Sequence, residues 1–178
     1  MKTLGLLTGF LPFLSILGFG ALTRATEGLK VGDRAPGFTL QDQSGTSVSL
    51  SSFKGKEFVI LYFYPKDETP GCTKEACTFR DDLSWYKRHG VEVLGVSVDD
   101  PASHREFSSH YSLNFRILSD ADKKVTQQYG VLGLFGMANR STFVIDKEGI
   151  IRAIFPNVKV DGHSAELQRV LGGLMAQN

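Results

Sequence analysis

The chain has 178 residues, 42% of them hydrophobic and 11% aromatic, which suits one domain with a buried core and excludes a disordered chain. Lys and Arg number 20 against 19 Asp and Glu, so the formal charge of +1 lacks the basic excess that nucleic-acid binding needs. Two cysteines are too few for a disulfide scaffold or a closed four-cysteine zinc site.

Residues 1–25 read as a leader. Lys2 precedes an apolar run of about 19 residues, Leu4 to Leu22, and small residues follow, with cleavage after Ala25 or Gly20. The same length spans a membrane, so an uncleaved N-terminal membrane anchor stays open beside a cleaved signal peptide. No cysteine lies near the leader, which excludes a lipoprotein anchor. Cleavage after Ala25 removes Lys2 and Arg24 and leaves 18 basic against 19 acidic residues.

Residues 26–178 carry no repeat, low-complexity block or linker and read as one domain. Gly37 to Leu50 alternates weakly, as an N-terminal hairpin does. Phe58 to Tyr64 is continuously apolar and stops at Pro65, the pattern of a buried central strand. A helix over 70–88, closed by Gly90, leads to a second strand, Val91 to Val98. A helix over 101–111, a short strand Phe115 to Leu118 and a helix over 121–129 ending at Gly130 come next. Ser141 to Ile145 and Ile150 to Phe155 flank Asp146-Lys147-Glu148-Gly149, a hairpin signal. In a last helix over 163–175, Leu167, Val170, Leu171 and Leu174 share one face. Alternating strands and helices predict an α/β fold with a mixed sheet between helices.

The chemistry concentrates where the central strand gives way to the first helix. Thr69 suits the N-cap and Pro70 the first helical position, which places Cys72 in the first turn. Unpaired N–H groups and the positive end of the helix dipole there favour a thiolate, the nucleophilic form. At 100° per residue, Ala76, Phe79, Leu83 and Tyr86 all fall within about 40° of Cys72, so Cys72 faces inward. Cys77 falls about 140° away, among Thr73, Asp81 and Ser84. In an intact helix the two Cα atoms are about 8.7 Å apart, beyond the roughly 7 Å limit for a disulfide. A Cys72–Cys77 bond therefore requires the first turn to unwind, which Gly71 eases.

Plainer uses of two cysteines stay open. A structural disulfide would close six residues, contribute at most about 2 kcal/mol and damage a helix. Unpaired core burial suits Cys72 but not Cys77. His89, His104, His110 and His163 show no ligand spacing with either thiol, so a metal pair is a weak reading. A CxxC redox motif is absent.

Pro65-x-x-x-Thr69-x-x-Cys72 resembles the signature of the peroxiredoxins, and Thr69-Pro70-Gly71-Cys72-Thr73 with Glu75-Ala76-Cys77 is similar to the subgroup called peroxiredoxin Q or bacterioferritin comigratory protein. The resemblance runs from about Gly28 to Leu174 and includes Gly32-Asp33-Arg34-Ala35-Pro36-Gly37-Phe38, Tyr129-Gly130-Val131 and Arg140 to Asp146. It implies a thioredoxin-like fold and thiol-dependent reduction of hydrogen peroxide and organic hydroperoxides without metal, haem or flavin. By the same resemblance Cys72 is the peroxidatic cysteine and Cys77 the resolving one. Pro65 shields the thiol, Thr69 hydrogen-bonds the peroxide, and Arg140 supports the thiolate and the developing negative oxygen. A thiol reductant such as thioredoxin, a monomeric state and no nucleic-acid partner complete the expectation. The leader departs from the cytosolic pattern of many members and points to a periplasm, a thylakoid lumen or a membrane facing either.

Taken singly, these residues have ordinary readings. An Arg at a strand start is commonly a surface residue, Thr69 can be only a cap, and Pro65 can only end the strand. Glu75 is read as a first-turn carboxylate that complements the dipole or fixes a neighbouring cation, outside the catalytic set. Leu134-Phe135-Gly136-Met137 reads as pocket lining, a contact surface or a loop covering the core. The competing functional class is an exported thioredoxin-fold binding module whose disulfide is structural.

Overall fold

The computed structural model describes residues 28–176. Both readings of the leader, and its boundary at residue 25, lie outside the described residues. Among the described residues no helix is long and apolar enough to cross a membrane.

Seven strands form one sheet: β1 (Thr39–Asp42), β2 (Ser47–Ser49), β3 (Phe58–Phe63), β4 (Val91–Ser97), β5 (Arg116–Ser119), β6 (Ser141–Ile145) and β7 (Ile151–Pro156), in the order β2-β1-β5-β4-β3-β6-β7. β3, β4 and β5 are parallel, and the other pairings are antiparallel. Four helices connect or follow them: α1 (Pro70–Arg88), α2 (Pro101–His110), α3 (Lys124–Gln128) and α4 (His163–Met175). The fold is the α/β mixed sheet expected.

β3 is buried along its whole length because both faces of the sheet are covered. Its alternate side chains feed two clusters. Ile60, Tyr62 and Tyr64 join Cys72, Phe79, Phe107, Leu167 and Leu171, the inward side chains of α1, α2 and α4. Val59, Leu61 and Phe63 join Phe38, Leu50, Phe53 and Val125 on the opposite face. The Gly37–Leu50 hairpin forms, and β1 adds itself to β5, extending the sheet by two strands.

The third helix is shorter than the 121–129 expected. Lys123 adopts φ +63°, and the buried Asp120 carboxylate accepts hydrogen bonds from the N–H groups of Val125 and Thr126, so the helix starts only at Lys124. β5 begins one residue late, at Arg116.

Candidate active site

β3 ends at Phe63, and Tyr64 extends the ladder by one bond, from its N–H to Val96 O at 3.1 Å. The loop from Pro65 to Thr69 then turns into α1 at the carboxyl end of the parallel strands, where ligands bind in open α/β sheets. Pro70 takes the first helical position, as predicted. Thr69 occupies the N-cap with extended backbone, but its side chain caps nothing: Oγ1 donates to Lys66 O at 3.0 Å.

Cys72 is 1% exposed. Arg140 comes from the far side of β3. The antiparallel register sets Phe63 opposite Ser141, so Arg140, one residue earlier, arrives where β3 gives way to the loop. Its Nη2 donates to Cys72 Sγ at 3.1 Å, and its Nη1 donates to Glu75 Oε2. Gly71 permits this approach, since a Cβ there would lie 3.3 Å from Arg140 Nη2. Pro65 is half-buried beside the junction. Of the five residues predicted for the site, Cys72 and Arg140 are in direct contact, and Pro65 and Thr69 bracket the loop that leads to them. Cys77 stands apart, half-buried and with a free thiol, as Cys72 has.

Glu75 corrects the earlier reading. The first turn of α1 carries no acidic residue. Glu75 sits one turn further on, buried and paired with Arg140. Fixing a neighbouring cation, the second reading offered for it, is its role here. Burial pushes its carboxyl up to about 7, with the guanidinium pulling the other way. Oε1 is buried without a hydrogen-bond partner. A signal existed in the helical wheel: Glu75 lies about 60° from Cys72, at the edge of the apolar face.

Sequence reasoning also missed the groups beneath the loop. Asp67 is buried, and its Oδ1 accepts from Tyr64 OH at 2.8 Å. Its Oδ2 accepts from Ser103 Oγ at 2.7 Å and lies 2.8 Å from His104 Nδ1, which donates because a carboxylate only accepts. The Asp67 N–H donates to Asp99 Oδ2 at 2.9 Å. Burial pushes Asp67 up, but His104, Ser103 and Tyr64 outweigh it and hold the carboxyl below its ordinary value. Separations of 36 and 37 residues leave no pattern in the sequence to find these pairs. Tyr62 stacks on Phe79 at 4.7 Å and reaches across to β4, where a Cβ on Gly95 would fall 2.7 Å from its hydroxyl.

A buried thiol at a helix N-terminus, with a fixed guanidinium on its sulfur, suits nucleophilic attack on a substrate that leaves an oxyanion. Among the described residues no cluster of His, Cys, Asp and Glu is arranged to hold a metal ion. An apolar cavity of about 240 Å³, lined by Leu50, Phe53, Val59 and Ile145 among others, opens on the other face of the sheet from Cys72.

Residues 31–154 match the AhpC/TSA family. The chain is 52% identical over 146 residues to a putative peroxiredoxin bcp of Coxiella burnetii, covering 78% of this chain and 96% of that protein. It is 49% identical over 146 residues to the chloroplastic peroxiredoxin Q of Oryza sativa subsp. japonica, covering 80% of this chain and 67% of that protein. Among solved structures, the peroxidoxin BcpB of Mycobacterium tuberculosis superposes with a TM-score of 0.76 at 35% identity, covering 82% of this chain and 97% of that one. Peroxiredoxin Q of Xanthomonas campestris gives 0.73 at 32% identity, covering 76% and 90%. The strand-to-helix thiol, its arginine and these likenesses agree: the chain belongs to the AhpC/TSA family of thioredoxin-like peroxiredoxins, on its peroxiredoxin Q and bacterioferritin comigratory protein side.

Proposed function

We propose that this thiol peroxidase reduces hydrogen peroxide and organic hydroperoxides through Cys72, with Cys77 as the resolving thiol. The observation that carries the reading is Arg140 Nη2 on the buried Cys72 sulfur, 3.1 Å away, at the start of α1. The Cys72 thiolate attacks one peroxide oxygen, the O–O bond breaks, and sulfur takes that oxygen as a sulfenic acid. The other oxygen leaves with the electron pair and, once protonated, becomes water or an alcohol. Arg140 stabilises both the thiolate and the departing negative charge and stays charged throughout. Thr69 has its hydroxyl hydrogen committed to Lys66 O, so toward a peroxide it is an acceptor for the substrate O–H.

Cys77 then attacks the sulfenic sulfur, a disulfide forms and water leaves. Because α1 is continuous from Pro70 and holds the two Cα atoms about 8.7 Å apart, its first turn opens for this step. An external dithiol such as thioredoxin reduces the disulfide. One solved relative, the Xanthomonas campestris bacterioferritin comigratory protein, has alkyl peroxide reduction activity, which supports the organic substrate class. The apolar leader supports export to a periplasm or thylakoid lumen, or an anchor facing it, and the subgroup supports a monomer. A binding module with a structural disulfide is not favoured, since both thiols are free and sit on different faces of α1.

Peroxide consumption with a thiol donor tests the assignment. Cys72→Ser is expected to abolish turnover, and Cys77→Ser to accumulate sulfinic acid or to depend on an external thiol. Retained turnover in Cys72→Ser overturns the assignment of Cys72.

A further inference from the structure

The loop between α3 and β6 holds apolar side chains that the peroxide chemistry leaves unused. Leu134 is 101% exposed and Phe135 89%, with Leu132 and Met137 also exposed. The backbone that carries them is ordered by its own bonds. Leu132 pairs with Ala138, Gly133 N–H donates to Met137 O at 2.8 Å, and Gly136 N–H donates to Gly133 O at 3.0 Å. Asn139 closes the neck, where a Cβ on Gly133 would fall 2.8 Å from its Oδ1. A braced loop that holds a Leu and a Phe in water covers no core; it marks a contact surface.

Two observations point to what the surface meets. Lys123 brings its ammonium against the loop, since a Cβ on Gly136 would fall 2.6 Å from Nζ. An apolar tip with an ammonium beside it suits the headgroup region of an anionic bilayer, where the cation meets lipid phosphate and the apolar side chains meet the acyl boundary. The second is where the chain enters the domain. Gly28 and Leu29 line the same hollow as Val131 and Asn139, so the described chain begins beside the base of this loop, and the apolar run Leu4 to Leu22 precedes that point in the sequence. Met137, at the base of the loop, is three residues before Arg140, whose Nη2 donates to Cys72 Sγ.

We propose that Leu134 and Phe135 form a bilayer-docking tip that inserts at the boundary of headgroups and acyl chains. The docking is independent of the peroxidase assignment; only its benefit to a membrane-borne hydroperoxide rests on that reading.

The test uses the full chain carrying Phe135→Trp, mixed with vesicles of phosphatidylglycerol and phosphatidylcholine whose acyl chains are brominated. The tryptophan at 135 is expected to shift to the blue and be quenched, while the native Trp85, fifteen residues into α1, keeps its emission. Because the readout is local to the loop, a chain held on vesicles by its leader alone leaves position 135 unquenched and overturns the proposal. In the otherwise unaltered chain, Leu134→Ser with Phe135→Ser is expected to lower the vesicle-bound fraction at limiting lipid about tenfold or more, as loss of two large apolar side chains implies. Hydrogen peroxide turnover in solution stays unchanged in that variant. If the paired substitution leaves vesicle binding intact and instead abolishes a concentration-dependent dimer, the tip belongs to a second copy and the proposal fails.

Discussion

Two helix starts lie side by side at the carboxyl ends of β3 and β4, and they align residue by residue. Pro70, Cys72 and Glu75 of α1 correspond to Pro101, Ser103 and Glu106 of α2. At α2 the Asp100 carboxylate accepts from Ser103 N–H at 2.8 Å and caps the helix, and Glu106 points into water. At α1 Thr69 turns its hydroxyl back to Lys66 O, the first turn has no side-chain cap, and Glu75 is buried against Arg140. The ordinary start also braces the reactive one, since Asp99 and Ser103 bind the backbone and carboxylate of Asp67. The molecule thus fastens the loop before Cys72 instead of filling the helix end at which Cys72 sits. Donors left open there are available to a thiolate and an oxyanion.

The largest expected effect comes from making Glu75 behave like Glu106. Glu75→Ala leaves the mostly buried Arg140 guanidinium without its carboxylate and is expected to cost about 3–5 kcal/mol in urea unfolding. The alanine variant of Glu106 should change stability by less than about 0.5 kcal/mol. Equal costs at the two positions would remove the basis of the comparison. The sign of the pH dependence follows from burial. Glu75 holds its proton more tightly in the folded chain, up to about 7 against an ordinary 4.5. Its contribution is therefore full below about 4.5 and is lost as pH rises through about 7. Glu75→Gln should remove that portion of the pH profile.

Arg140 comes next. Arg140→Lys keeps a positive charge but loses the fork that reaches Cys72 and Glu75 together. The second-order rate of Cys72 oxidation is expected to fall about 10²–10³-fold, as when one oxyanion donor is removed. Quenched-flow mass spectrometry of the Cys72 oxidation state measures this rate. A loss below threefold would mean that the uncapped helix end alone supports the thiolate.

The aligned helix starts also show what a sequence discloses and what it conceals. Cys72 was legible because a cap residue, a proline and an inward helical phase are all local. Helix α1 was legible from Pro70 to Arg88 for the same reason. Glu75 was not, because its neighbours in sequence are those of Glu106; what separates the two is the register of β6, which delivers Arg140 to one of them. Asp67 and His104 face the same obstacle, being partners only after β4 and α2 have been laid beside β3. Arg140 was identified through family resemblance, since an arginine before a strand carries no signature of its own. The addition of β1 to β5 depends on a pairing between distant segments that neither alternation pattern specifies.

Removing the brace has an intermediate effect. Asp67→Asn keeps the shape but loses charge-assisted bonds from Tyr64, Ser103 and His104, and is expected to cost about 1.5–3 kcal/mol. Its pH signature is opposite to that of Glu75. Asp67 sits below its ordinary value of 3.8, so its stabilisation is present above that value and is lost as pH falls through the folded one. Hydrogen exchange at residues 65–72 should rise in this variant, and exchange at 70–77 should rise in the wild-type disulfide form as the first turn opens. Unchanged protection on oxidation would mean that the disulfide forms without unwinding α1.

The smallest effect separates the two helix starts most cleanly. Asp100→Ala removes a working cap and is expected to cost about 1 kcal/mol of stability while leaving the rate of Cys72 oxidation within twofold. Thr69→Val removes no cap, because Oγ1 serves Lys66 O and not the helix, so its stability cost should be about 0.5–1 kcal/mol, one neutral hydrogen bond. Its oxidation rate should nevertheless fall, since valine cannot accept the peroxide O–H. The two variants therefore cross: the greater stability loss goes with the unchanged rate. If Thr69→Val instead behaved as Asp100→Ala does, with lost stability and an intact rate, Thr69 would be an ordinary cap in solution, and the open helix end would not distinguish α1 from its neighbour.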